Sequence, residues 1–349
     1  MPAHNWMSTI NNDLRLSEIT MPGSHDAGIH AGVTERRGLA PARFAITQNV
    51  GIREQCNRGS RFFDIRIEAG AGRTYHGAAI IGAFGQSLDD ILLDVRAFLL
   101  ANPQEFVILR FSKTQGNLDA IINQVQALLG PGPAQIDLLF SVNTNIASQP
   151  IRNLRRRAIC VFEETHPAII PTDGLHRFVR YAPPLPPSGL IACGKFSEST
   201  RLREVVNGQV TKIDEHADHH RNNHLFVLYW TQTFKITKPW KQTFAMDISR
   251  FSSKARNLDK ERQKRRVTGG AQHNMDYLKW LVCTGRDLRA GQQKTTVVVT
   301  THADRLRIMP NVIMYDFVNA DMSNEIVSLN DPALRGHVID YDGMAEMFQ

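Results

Sequence analysis

The sequence predicts an α/β protein, a single irregular barrel of the (β/α)8 type, on three observations. Short apolar runs recur along the chain, amphipathic helices separate some of them, and polar residues suited to chemistry sit at their ends. With 349 residues, 42% of them hydrophobic and 21% charged, the chain can build one large core. The span 1–349 reads as one domain, without internal repeat or low-complexity tract.

Eight runs read as strands: "SEITMPG", "RFFDIRIE", "RTYHG", "EFVILRFS", "RAICVFEE", "LIACGKF", "HLFVLYW" and "NVIMYDFVN". Several are almost continuously apolar, as expected of strands packed inside a barrel on one face and under helices on the other. "SLDDILLDVRAFLLANP" reads as a helix, with a serine cap, an acidic first turn, apolar residues three and four apart and a closing Asn-Pro. The link from "RFFDIRIE" to "RTYHG" is too short for a helix, which makes the barrel irregular. "APPLPPSG" (182–189) reads as a proline-rich loop, and 252–270 as an exposed basic segment.

No apolar run reaches the ~18 residues that would cross a bilayer. The N-terminal stretch has neither a basic start nor an apolar h-region, so no signal peptide is read there. The four cysteines form no CxxC pair, and Cys160 and Cys193 lie in apolar runs, which suits buried, inert thiols. A formal charge of +7 favours an anionic partner without choosing among lipid, nucleic acid and phosphorylated substrate.

Barrel enzymes carry their chemistry at the carboxyl ends of strands. In this chain His25 and Asp26 follow the first strand, Arg66 ends the second, His76 the third, and Asp316 the eighth. Asp64 and Arg66, two apart, project to one side of their strand. Two imidazoles, each oriented by a carboxylate, supply a general base and a general acid. A cation between them stabilises charge on phosphorus.

"MPGSHDAG", "RGSRFFDIRIE…YHG", "NPQEFVILRFS" and "VIMYDFVN" together resemble the motifs of phosphatidylinositol-specific phospholipase C, most closely the small bacterial enzymes. The match runs in order from residue 17 to about 325 and is weakest in the middle. The resemblance implies a distorted TIM barrel and cleavage of phosphatidylinositol to diacylglycerol and inositol 1,2-cyclic phosphate. His25 would be the base, oriented by Asp316, and His76, paired with Asp26, the acid. Calcium-dependent relatives carry an asparagine and acidic residues where this chain has Asp26, Arg66 and Ser112. Calcium takes several oxygen ligands, so Arg66 reads as its built-in substitute and no metal or other cofactor is expected.

The same resemblance implies a peripheral membrane contact and an extracellular enzyme. Phe44 and Trp240 fall where bacterial relatives carry interfacial tryptophans, among Arg36, Arg37, Arg43, Lys238 and Lys241. Partners are phosphatidylinositol in membranes and its myo-inositol headgroup, with no nucleic acid and no obligate protein. Headgroup contacts are assigned to Asp64, Glu164, Lys195 and Glu198. Glu163 and Glu164 end the fifth run and would repel a ring phosphate, favouring the unphosphorylated lipid. His216 and His220, four apart, read as a solvated helix rather than a metal pair. The alternatives are a glycerophosphodiester phosphodiesterase, disfavoured by Arg66, and a non-catalytic inositol-lipid binding module, disfavoured by the complete set of histidines and carboxylates.

Overall fold

The computed structural model describes residues 3–37, 42, 45–77, 82–133, 135–196, 223–231 and 310–330, with isolated positions 208, 209, 212 and 216. By its contacts the chain divides into two compact units. The first comprises Met1–Lys195, His219–Thr231 and Pro310–Asp331, and holds every element named below. The second comprises Phe196–Asp218, Gln232–Met309 and Pro332–Gln349. The expectation of one domain over 1–349 spans both.

The strands are β1 (Met21–Ser24), β2 (Glu35–Arg36), β3 (Phe62–Ile65), β4 (Ile67–Glu68), β5 (Arg73–His76), β6 (Ala83–Ser87), β7 (Val107–Phe111), β8 (Ala158–Phe162), β9 (Leu175–Arg180), β10 (Leu190–Cys193), β11 (Leu225–Trp230) and β12 (Val312–Tyr315). Eight of them close a barrel in the order β1-β12-β11-β10-β9-β8-β7-β3, every neighbouring pair parallel. The other four form a separate antiparallel sheet, β2-β6-β5-β4. The helices are α1 (Ile52–Asn57), α2 (Leu88–Ala101), α3 (Leu118–Leu129), α4 (Ile151–Leu154) and α5 (Ala320–Ser328).

Seven of the eight expected strands are barrel strands, and one expectation is corrected. "RTYHG" is β5 and lies in the side sheet. A parallel neighbour needs a crossover of a dozen residues or more, and the link from Glu68 to Arg73 can only turn the chain back as a hairpin. The eighth barrel strand is β9, "LHRFVR". His176, Arg177 and Arg180 interrupt its apolar residues, so it lacks the continuous run that marks its neighbours.

Helix α2 forms as its sequence dictates. The Ser87 hydroxyl accepts the Asp90 amide at 3.1 Å, Asp89 and Asp90 face the positive end of the helix dipole, and Leu88, Ile91, Leu92, Val95, Phe98 and Leu99 are buried. Cys56 and Cys160 are free and fully buried. Burial pushes the Cys56 thiol up to about 12, which makes it unreactive at neutral pH.

At the amino-terminal end of the barrel, the N-terminal turn Ala3–Thr9 packs over a buried ion pair. Arg61 Nε donates to Glu105 Oε2 at 2.7 Å, Met7 N donates to Glu105 Oε1 at 3.0 Å, and both charged side chains are fully enclosed. The remaining Arg61 donors reach the carbonyls of Cys56, Ser60 and His4, so the buried charge is satisfied. Among the described residues, no helix is long and apolar enough to cross a membrane.

Candidate active site

The site lies at the opposite, carboxyl-terminal end of the barrel, where β1 and β12 run side by side. Their pairing ends at Ser24 against Tyr315. The next residue on each chain, His25 and Asp316, brings a side chain to the other: His25 Nδ1 lies 3.0 Å from Asp316 Oδ1. Asp26 follows with φ of 41°, a left-handed conformation that aspartate tolerates better than most residues. The turn is pinned by Ala27 N donating to Asp64 O at 2.8 Å and by the Thr47 hydroxyl donating to Asp26 O at 2.9 Å.

His76 reaches the site from the side sheet rather than from a barrel strand. Two glycines let that sheet press onto the turn after β1. A Cβ on Gly85 would stand 2.2 Å from the Gly28 carbonyl, and one on Gly28 would stand 2.3 Å from Thr74. Gln86 N donates to Gly28 O at 2.8 Å, and Tyr75 N to Arg66 O at 2.9 Å. This docking sets His76 Nδ1 2.5 Å from Asp26 Oδ2.

Asp26 is the hub. Besides His76, it has Arg66 Nε 2.9 Å from Oδ1 and His25 Nε2 3.5 Å from Oδ2. Burial alone would raise its pKa. The charges of Arg66, His25 and His76 outweigh burial and hold the carboxyl well below the usual carboxylate range. An ionised Asp26 only accepts, so His76 Nδ1 carries the hydrogen. Burial works against the charged form of His25, but Asp26 and Asp316 outweigh both burial and Arg66, pushing it up to about 9. Arg66 itself is opposed by burial yet is held charged above its ordinary value by Asp26 and Asp64.

A second cluster adjoins the first through Arg66. Ser112 Oγ donates to Asp64 Oδ1 at 2.7 Å, and that carboxylate stands between Arg66 (3.7 Å) and Arg110 (3.5 Å). Arg110 donates to the Tyr229 hydroxyl at 2.7 Å and to Glu163, and its guanidinium lies 4.5 Å from the Phe178 ring centre. Oxygen and nitrogen ligands of His25, Asp26 and Asp64 come close enough together to hold a cation. The Arg66 guanidinium lodged against both carboxylates already offsets their charge.

The structure thus brings together His25, Asp26, Asp64, Arg66, His76 and Asp316. The structure bears on two headgroup expectations. Glu164 accepts the Thr114 amide at 2.7 Å, a contact to its own chain. Glu163 is paired with Arg110, with Arg180 at 3.7 Å, so its charge is offset and the argument that it repels a ring phosphate loses its basis. Lys195 follows β10 and is exposed. Arg37 is no free surface cation: its guanidinium lies over Tyr75 (4.9 Å) and Phe84 (5.2 Å) and pairs with Glu68. Arg43, Phe44, Glu198, His220, Lys238, Trp240, Lys241 and the basic stretch 252–270 lie outside the described residues.

Sequence reasoning missed Arg110, Tyr229 and Gln48. A lone arginine inside the apolar run "EFVILRFS" was a legible signal for the first. Nothing local marks Gln48.

No family model matches the chain. Over 163 residues it is 28% identical to the 1-phosphatidylinositol phosphodiesterase of Listeria monocytogenes, covering 46% of this chain and 49% of that protein. Over 112 residues it is 32% identical to the enzyme of the same name from Staphylococcus aureus, covering 31% of this chain and 34% of the relative. A mouse PI-PLC X domain-containing protein 2 is 31% identical over 130 residues, 31% of this chain and 38% of that protein. The chain is similar to bacterial phosphatidylinositol-specific phospholipases C. The alignments span about half or less of the length of these curated relatives. The solved phospholipase C of Listeria monocytogenes superposes with a TM-score of 0.52 at 17% identity, over 95% of this chain and all of that one. That of Staphylococcus aureus gives 0.57 at 15%, over 95% and 98%. At this identity the superpositions establish the fold, the closed parallel barrel expected from the sequence.

Proposed function

We propose that this protein is a phosphatidylinositol-specific phospholipase C that needs no metal. The observation that carries the reading is the pairing of two imidazoles, each at Nδ1, with separate carboxylates: His25 with Asp316 and His76 with Asp26. That arrangement leaves the two Nε2 atoms as the groups that exchange protons, with Arg66 held against Asp26, the carboxylate that both imidazoles approach. The similarity to enzymes named 1-phosphatidylinositol phosphodiesterase supports the substrate class.

In this mechanism His25 takes the proton of the inositol 2-hydroxyl as its oxygen attacks phosphorus. Asp316 stabilises the imidazolium that forms. His76 gives its Nε2 proton to the departing diacylglycerol oxygen, and Asp26 holds its ring and tautomer. Arg66 offsets the added negative charge on the pentacoordinate phosphorane, and does so best there because its position is fixed before the reaction begins. The products are diacylglycerol and inositol 1,2-cyclic phosphate. Slower hydrolysis of the cyclic diester reverses the two histidine roles. In the free site the two carboxylates keep His25 mainly protonated at neutral pH, so the base form grows as the pH rises. Phe44 and Trp240 are proposed to contact the membrane that holds the substrate.

The test is cleavage of phosphatidylinositol vesicles in excess chelator, followed by ³¹P NMR. A cyclic phosphodiester product is expected. A strict calcium requirement, or release of glycerol phosphate instead, would overturn the assignment.

A further inference from the structure

His25 and Asp316 are 291 positions apart in sequence, and the strands that carry them stop pairing one residue earlier, at Ser24 and Tyr315. Past that point the backbone ladder weakens to a long bond, His25 N donating to Tyr315 O at 3.4 Å, and a side chain reinforces the register of the two loops. The fully buried side chain of Gln48 spans them. Its Nε2 donates to the His25 carbonyl at 3.0 Å and to the Tyr315 carbonyl at 3.4 Å, and its Oε1 accepts the Val318 amide at 3.0 Å. Two carbonyls on one side and an N–H on the other fix which amide atom is which.

The backbone beside it serves the same seam. Gln48 N donates to Ile29 O at 3.0 Å, Ala31 N to Gln48 O at 3.1 Å, and Phe317 N to Thr47 O at 2.8 Å. Phe317, directly after Asp316, takes a φ of 57°. A bulky residue keeps such a backbone only where its surroundings over-determine it. We infer that Gln48 is a positioning residue that registers His25 on Asp316 by clasping the loops after β1 and β12. A glutamine suits this place because one planar group offers two donors and an acceptor. Asparagine is a methylene shorter and cannot reach both loops at once.

The structure contains its own control. At the opposite end of the same seam, the buried amide of Asn311 makes an equivalent clasp. It accepts Phe226 N at 2.8 Å and donates to Ser17 O at 2.8 Å and Ile19 O at 3.1 Å. Asn311 should hold the barrel closed without touching the register of His25.

The inference rests on the acid–base reading of this site, and its test has an arm that needs no substrate. Gln48→Met, Gln48→Asn and Asn311→Ala are compared with the unaltered protein by NMR titration of the His25 ring, thermal unfolding and phosphatidylinositol cleavage. Asp26, Asp316 and Arg66 are the charged groups that act on that ring. Both Gln48 variants should lower the His25 midpoint from about 9 toward 6.5. They should also reduce kcat by roughly 10–100-fold with KM nearly unchanged, the cost of an ångström-scale misplacement. Asn311→Ala should lower the melting temperature while leaving the midpoint and kcat in place. Should Gln48→Met fail to fold, the smaller Gln48→Asn decides. Folded Gln48 variants that titrate as the unaltered protein does would overturn the inference. So would an equal shift in Asn311→Ala. Absence of cleavage by the unaltered protein would sink the proposed function instead, and the titration would still decide the role of Gln48.

Discussion

Replacing Asp316 by asparagine removes one of the two carboxylates that charge His25 while keeping its shape. The pair accounts for a rise in the His25 pKa from 6.5 to about 9 against the opposing effect of burial. At 1.36 kcal/mol per pH unit, that rise corresponds to stabilisation on the order of 3 kcal/mol. The sign follows from the proton inventory. A group whose folded pKa is raised stabilises the fold fully below its unfolded pKa, here 6.5, and that contribution fades as the pH climbs through about 9. Urea unfolding should therefore show this stabilisation at pH 6 and its loss at pH 9.5. In Asp316→Asn the His25 midpoint, followed by NMR at the ring Cε1, should fall by about one pH unit or more, and the stability difference between the two pH values should shrink by ~1.4 kcal/mol. Because the proposed base, His25, must be neutral to act, the acidic limb of kcat/KM should lie well above 6.5 in the unaltered enzyme and move down in the variant, on top of a ~10²–10⁴-fold loss of rate. A His25 that titrates near 6.5 in the unaltered protein, or a midpoint indifferent to Asp316, would refute the electrostatic account.

Arg66→Lys should lose more activity than the conserved charge suggests, because an ammonium cannot keep the guanidinium's simultaneous approach to Asp26 and Asp64; turnover within twofold of the unaltered enzyme in chelator would contradict this. Glu105→Ala strands the enclosed Arg61 charge and should cost about 3–5 kcal/mol in urea unfolding, and a loss under ~1 kcal/mol would mean that water reaches the pair. Phe44→Ala with Trp240→Ala should weaken binding to phosphatidylinositol vesicles yet spare hydrolysis of soluble inositol 1,2-cyclic phosphate, at a cost of about 1.5–3 kcal/mol per side chain. Equal losses on both substrates would assign these aromatics to the fold instead.

Local chemistry decided much of this protein. The near-continuous apolar runs around Val107–Phe111, Ala158–Phe162 and Leu225–Trp230, short and rich in β-branched and aromatic residues, suit strands buried on both faces, and they are barrel strands. Ser87, the acidic turn after it and Asn102-Pro103 delimit α2 because caps and breakers act within a few residues. The strand-end positions of His25, Arg66 and Asp316 likewise follow from where each run stops. Tertiary structure decided what depends on distant partners. β9 is a barrel strand because its neighbours β8 and β10 supply the ladder that its broken apolar pattern does not announce. β5 leaves the barrel, and His76 reaches Asp26 only because Gly28 and Gly85 let a side sheet close on the turn after β1. The offset of Glu163 by Arg110 joins residues 53 positions apart, and the clasp of Gln48 on Tyr315 joins residues 267 apart. Periodicity records which face of an element is buried. It cannot record which buried polar group meets which, since that is fixed only when barrel closure brings the loops of separate strands within hydrogen-bonding distance.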